Sequence, residues 1–420
     1  MNFNLTITRK ELTTIAVAWI AVVGVCVLGW VHWRFPDVTP EEARHGWSAD
    51  AFAAEETQTI VGEMPAFEML GPDGQAIVQD NSHANVRLWE AVIAKNGGHL
   101  TYAPQQVGDC VSHAFTHAGD YLECVDLETG EQREFHRLYP PYTYGVSRVD
   151  VGKGKIKGDG SCMAWAVKGA KEHGVLRADA AGCPPYSGAI ARAWGKSGPP
   201  AEFRAVARDA RIQESSQVTS ASAVRDAICN GYPVPFGAGK IGFDKVVERK
   251  GRLVADPPSG SWAHAQVVIG YDGSTGVEEP LFCILNSWGP LAGGKSPTDG
   301  SPPGSYWITA RSMDFIAKQG DAFAISGFTG FKARKIDFKL TIHHGDTERH
   351  GEGGKRQSSI LQSSLSVPLR VSVVNLPIRS SRSVVGPLLQ SCETEADSFV
   401  GFHTAGFFSK GVRHVYAKLW

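Results

Sequence analysis

The chain has 420 residues, 42% hydrophobic and 20% charged, a globular balance that excludes a disordered chain and leaves room for one large domain or two ordinary ones. Its formal net charge is −1, so it lacks the lysine and arginine excess of a nucleic-acid-binding face. Any charged site has to be local.

The first predicted element is residues 12–33, a run without Asp, Glu, Lys or Arg that is long enough to cross about 30 Å of hydrocarbon as a helix. Trp30 and Trp33 stand where an interfacial aromatic belt would lie, and Arg9 and Lys10 precede the run, which keeps the short segment 1–11 cytoplasmic and the rest of the chain outside. The reading is a single-pass membrane protein; a secreted protein with a cleaved signal peptide is the rival. Seven cysteines follow the span (110, 124, 162, 183, 229, 283 and 392), an odd number that leaves at least one unpaired in an oxidising compartment.

Residues 34–98 alternate acidic, polar and small residues and include "NVRLWEAVIAKNGG", where Leu88, Val92 and Ile93 would share a helix face. They read as a stalk or pro-like segment. From 99 to 332 the pattern is α+β, with a helix from about Cys110 to Glu123 and another from Ser161 to His173, stopped by Gly174. The short apolar runs "YPVPFGAG", "HAQVVIGYD", "PLFCILNSWG" and "GSYWITA" then predict strands, so a helical lobe precedes a β lobe. Residues 333–420 are Ser- and Arg-rich with weak periodicity and read as a poorly ordered tail.

A nucleophilic thiol needs a helix N-terminus or an imidazolium to favour its anion, and donors for the oxyanion it creates. In "PQQVGDCVSHAF", Cys110 follows a Gly-Asp turn at a helix start, with Gln105 five residues upstream as a donor and Gln106 as its alternative. Cys162 in "GDGSCMAWA" has a similar turn and no glutamine. Of 14 histidines, His264 opens an apolar strand after small residues, and Asn286 closes the next, where its amide could fix the ring tautomer. Asp109 reads as a turn residue or helix N-cap. Cys110, His113, His117 and Cys124 fall on one helix face, but a straight helix spreads them over about 20 Å, so they do not read as one metal site.

Gln105, Cys110, His264 and Asn286, in this order and with about 150 and about 175 residues from the cysteine to the last two, resemble the papain-like cysteine peptidases. "LNSWG" is the most specific single piece. The resemblance covers about residues 99 to 330 and makes Cys162 a resident of the second helix rather than the nucleophile. It implies an α+β papain-like two-lobe fold, a helical lobe plus a β-barrel-like lobe, acting on protein or peptide substrates without metal or cofactor. Cys110 would be the nucleophile, His264 the base and Asn286 its orienter, with Gln105 at the oxyanion. Gly160 and Ala265 would line the substrate cleft, and Trp288 would stack over the Asn-His contact. Val111 departs from the pattern, since papain has Trp after the cysteine. That altered loop favours the alternative, a catalytically impaired papain-fold module that binds peptides or serves a structural surface role. A transferase or amidase using the same acyl-enzyme is a third reading.

Overall fold

The computed structural model describes residues 45–131, 133–241, 245–255, 263–273, 279–334 and 336. The membrane-span reading for 12–33 and most of the tail lie outside these residues; among the described residues, no helix is long and apolar enough to cross a membrane.

The chain begins with α1 (Ala49–Ala53) and α2 (Glu55–Gly62), then a small hairpin of β1 (Met69–Leu70) and β2 (Ala76–Ile77). β3 (Asn85–Arg87) and α3 (Trp89–Asn96) follow. The stretch read as a stalk or pro-like segment is packed into the body from residue 45 onward. Trp89 is buried and meets Trp307 edge-on, with ring centroids 6.1 Å apart, because its helix carries the predicted apolar face of Leu88, Val92 and Ile93.

The helical portion contains α4 (Cys110–Glu128), α5 (Pro140–Gly145) running into a π-helical turn (Val146–Val151), α6 (Met163–His173), α7 (Gly188–Ser197) and α8 (Ala201–Ala207). All but three of the 19 residues of α4 are buried, so it is the central helix, enclosed on every side rather than along one stripe, with His113, His117, Asp120 and Asp126 among the buried residues. It runs five residues past the predicted end. α6 starts at Met163, two residues later than predicted, with Cys162 at its N-cap and Gly174, at φ 82°, ending it.

The β portion adds β4 (Glu214–Gln217), α9 (Ala221–Cys229), β5 (Val234–Ala238), β6 (Val246–Arg249), β7 (Arg252–Ala255), β8 (His264–Asp272), β9 (Leu281–Leu285), β10 (Ser305–Thr309), α10 (Ala310–Ala317) and β11 (Asp321–Ser326). The four apolar runs singled out in the sequence are β5, β8, β9 and β10. Their continuous apolarity fits strands covered on both faces, and every residue of β5, β8 and β9 is buried. The sheet order is β4-β11-β5-β8-β9-β10-β7-β6, with β3 pairing β8 as well. This corrects the expected barrel: among the described residues the pairings form an open sheet, because β4 and β6 stand at opposite ends of the path and do not meet.

Candidate active site

The antiparallel pairing of β8 with β9 sets Val267 opposite Leu285, which places the first residue of β8 near the residue that follows β9. The side chains meet there: His264 Nε2 lies 2.8 Å from Asn286 Oδ1. The same Oδ1 accepts the Ser287 backbone N–H at 2.8 Å, so it is an acceptor, and Nε2 carries the ring proton. In a neutral ring the lone pair then sits on Nδ1. The Trp288 ring stacks on His264, with centroids 4.4 Å apart and planes 30° from parallel.

Cys110 is the first residue of α4 and is fully buried. The backbone N–H groups of Ala265, Gly46 and Val111 face its sulfur and favour the anion, while Asp109 opposes it. Burial outweighs them all, raising the thiol from 9.0 to about 12. That rise corresponds to about 4 kcal/mol, several times the ~0.3–1 kcal/mol that a helix N-terminus returns. In the form described here the thiol is therefore protonated at neutral pH. Ala265 is the neighbour of His264 on β8, so one strand end carries both the imidazole and a backbone contact to the sulfur.

Gln105 and Gln106 point in opposite directions. Gln105 is buried; its backbone N–H donates to Ser287 O at 2.9 Å, its Oε1 accepts the Ser287 hydroxyl, and its Nε2 donates to Val107 O at 3.2 Å. Gln106 is exposed, and its Oε1 accepts the Gly188 N–H that opens α7. Asp109 occupies the N-cap position of α4 without capping it through its side chain. Its carboxylate instead takes the Tyr186 hydroxyl at 3.0 Å and lies 3.5 Å from His113 Nε2. His113 packs against Tyr186 and His117 against Tyr102.

Burial holds the Cys162 thiol well above its usual range, and the adjacent Asp321 carboxylate raises it further. Cys162 and Cys183 are both free thiols. Gly160 carries the turn into Cys162 at φ 116°, a region open to glycine, and its carbonyl accepts Arg148 Nη1 at 2.6 Å.

Sequence reasoning missed the segment that closes the cleft. Residues 45–48 run past Cys110 and pair in parallel with Ser161: the Ser161 N–H donates to Gly46 O at 2.8 Å, and the Ser48 N–H to Ser161 O at 2.9 Å. Trp47, between them, sends its indole against β5 and donates from Nε1 to Asp321 Oδ2 at 2.6 Å. Two signals were available, a tryptophan in an otherwise polar stretch and an aspartate at the head of the apolar run "DAFAIS".

No family model and no curated protein matches this chain. Solved structures do. Xylellain, a cysteine protease from Xylella fastidiosa, is 16% identical over 68% of this chain and 96% of its own, with a TM-score of 0.41. Digestive procathepsin L2 proteinase from Tenebrio molitor larval midgut is 14% identical over 77% and 95%, with a TM-score of 0.46. The Amb a 11 cysteine protease of ragweed pollen, in its proform, is 16% identical over 70% and 78%, with a TM-score of 0.42.

Proposed function

We propose that the protein is a papain-like cysteine peptidase held in a covered form. The observation that carries this reading is the 2.8 Å contact of His264 with Asn286 at the strand end whose next residue, Ala265, faces the Cys110 sulfur. With Nε2 protonated, the lone pair on Nδ1 would take the Cys110 proton once the thiol is uncovered. The thiolate attacks the substrate carbonyl carbon, and the oxyanion is met by the Cys110 backbone N–H and the Gln105 side-chain amide. Collapse of the tetrahedral adduct expels the amine, which takes the proton from the imidazolium. Water, activated by the same ring, then releases the acid from the thioester. Gly160 and Ala265 would flank the bound peptide, and Trp288 shields the His-Asn contact from water.

The alternative, a peptide-binding module without turnover, is favoured by one observation: the thiol is buried under Gly46 and pushed up to about 12. Peptide-library cleavage by the full chain carrying Trp47→Ala separates the two. The peptidase reading expects hydrolysis that Cys110→Ala abolishes and Cys162→Ala leaves in place. Hydrolysis surviving Cys110→Ala, or none despite labelling-competent folded protein, would overturn it. The same reading anchors the chain in a membrane through 12–33 with the catalytic portion outside, which alkaline extraction of membranes from expressing cells would test.

A further inference from the structure

The pocket that Trp47 fills is built from three kinds of surface. Its floor is Asp321, the first residue of β11, which is only 1% exposed. Two backbone N–H groups at the start of α6 hold that carboxylate, Met163 to Oδ2 at 2.7 Å and Ala164 to Oδ1 at 2.8 Å. The third donor is the Trp47 indole. One wall is β5, where a Cβ on Gly237 would lie 2.1 Å from the Trp47 ring and one on Gly239 would lie 3.1 Å away. Only glycine at 237 lets a flat ring lie against the strand. The mouth is next to the chemistry, because Gly237 pairs with Ala265 and Ala238 with His264.

When Trp47 leaves, Asp321 keeps its two backbone donors and loses the third. A side chain entering the pocket must then supply an N–H to Oδ2, or that buried carboxylate oxygen has one donor fewer than it has with Trp47 in place, which is the costlier state. The glycine wall admits a planar group. The backbone of an incoming peptide has the Ser161 N–H and C=O to pair with, the two groups that residues 46 and 48 use now. We infer that this pocket selects peptides presenting a planar, N–H-bearing side chain, arginine or tryptophan, with Asp321 as the residue that determines the choice. This rests on the peptidase reading for its place beside the scissile bond, and on the Trp47–Asp321 geometry for its chemistry. Arginine gains further because it brings the charge that a buried carboxylate lacks.

The test uses the full chain with Trp47→Ala and a peptide series that differs only at the pocket residue: Arg, Trp, Phe and Leu. Two readouts are taken, kcat/KM for hydrolysis and, in Cys110→Ala on the same background, Kd by fluorescence anisotropy. Arg and Trp should exceed Leu by about tenfold or more, and adding Asp321→Asn should bring Arg to within about threefold of Leu measured on that same variant. If Asp321→Asn does not fold, Gly237→Ala on the Trp47→Ala background supplies the second arm and should lower Arg and Trp relative to Leu. A preference for Leu or Phe, or an Arg-to-Leu ratio indifferent to Asp321 and Gly237, would overturn the proposal. Selective binding without hydrolysis by any peptide would refute the peptidase reading and uphold the pocket; hydrolysis without selectivity would do the reverse.

Discussion

His264 Nε2 and Asn286 Oδ1 are 2.8 Å apart, and the second acceptor role of Oδ1, towards Ser287, decides which ring nitrogen holds the proton. Asn286→Ala removes that decision, so a fraction of the rings turns its N–H towards the thiol and cannot act as base. Activity measured on the Trp47→Ala chain should fall about 10²-fold in kcat/KM. Asn286→Asp should recover part of it, because a carboxylate still accepts from Nε2. Equal activity in Asn286→Ala would mean that Trp288 stacking alone orients the ring.

Cys110 is a poor nucleophile while residues 45–48 cover it, since burial pushes its thiol up to about 12. The sign is that the protonated form dominates below that value, so alkylation of the intact chain at pH 8 should be slow. Trp47→Ala removes the indole that pins the segment to Asp321 and re-exposes the sulfur to solvent. Its alkylation rate by iodoacetamide, followed by mass spectrometry at Cys110, should rise at least about tenfold as the thiol moves back towards its ordinary range. No change in rate would separate Trp47 from the covering of the site.

Arg148 holds the turn that leads to Ser161. The buried guanidinium donates to four carbonyls, Gly195 at 2.9 Å, Gly160 at 2.6 Å, Ile156 at 3.0 Å and Gly158 at 2.6 Å, and lies over the Tyr144 ring at 4.9 Å. Arg148→Met strands those acceptors and should cost about 2–4 kcal/mol in urea unfolding, with Arg148→Lys intermediate because a point charge cannot serve the same fork. A loss under about 0.5 kcal/mol in the methionine variant would contradict this role.

Asp321 is raised from 3.8 to about 6, first by burial, against the Trp47, Met163 and Ala164 donors that lower it; the Cys162 thiol lies beside it. Between pH 3.8 and about 6 the folded chain thus binds more protons than the unfolded one. Stability from this group is full below 3.8 and is lost as pH rises through about 6. Asp321→Asn should flatten that part of the stability–pH curve, measured by denaturant midpoints from pH 4 to 7. An unchanged slope would place the titration elsewhere.

The strands and the central helix were legible because their signals are local. "HAQVVIGYD" and "FCIL" are apolar on both faces, and Cys110 opens a long apolar stretch after a Gly-Asp turn. The His264–Asn286 contact followed from pairing two such strands in sequence order. The closing of the cleft was not legible, because it joins residues far apart in sequence: Trp47 with Asp321, and Gly46 with both Cys110 and Ser161. No periodicity in residues 45–48 announces a partner, and a polar stretch of that composition reads as exposed. The difference between Gln105 and Gln106 was hidden for a similar reason, since only the Ser287 and Gly188 contacts decide which amide turns inward. The open sheet was missed because a list of strands carries no information on whether its ends meet.

The central claim is that Cys110, served by His264, is the nucleophile. Labelling of the full Trp47→Ala chain with a thiol-directed epoxide, read by mass spectrometry of the modified residue, tests it most directly. The account predicts a stoichiometric label on Cys110, lost in His264→Ala, with Cys162 unmodified. A label on Cys162, or a label on Cys110 that persists undiminished without His264, would contradict it.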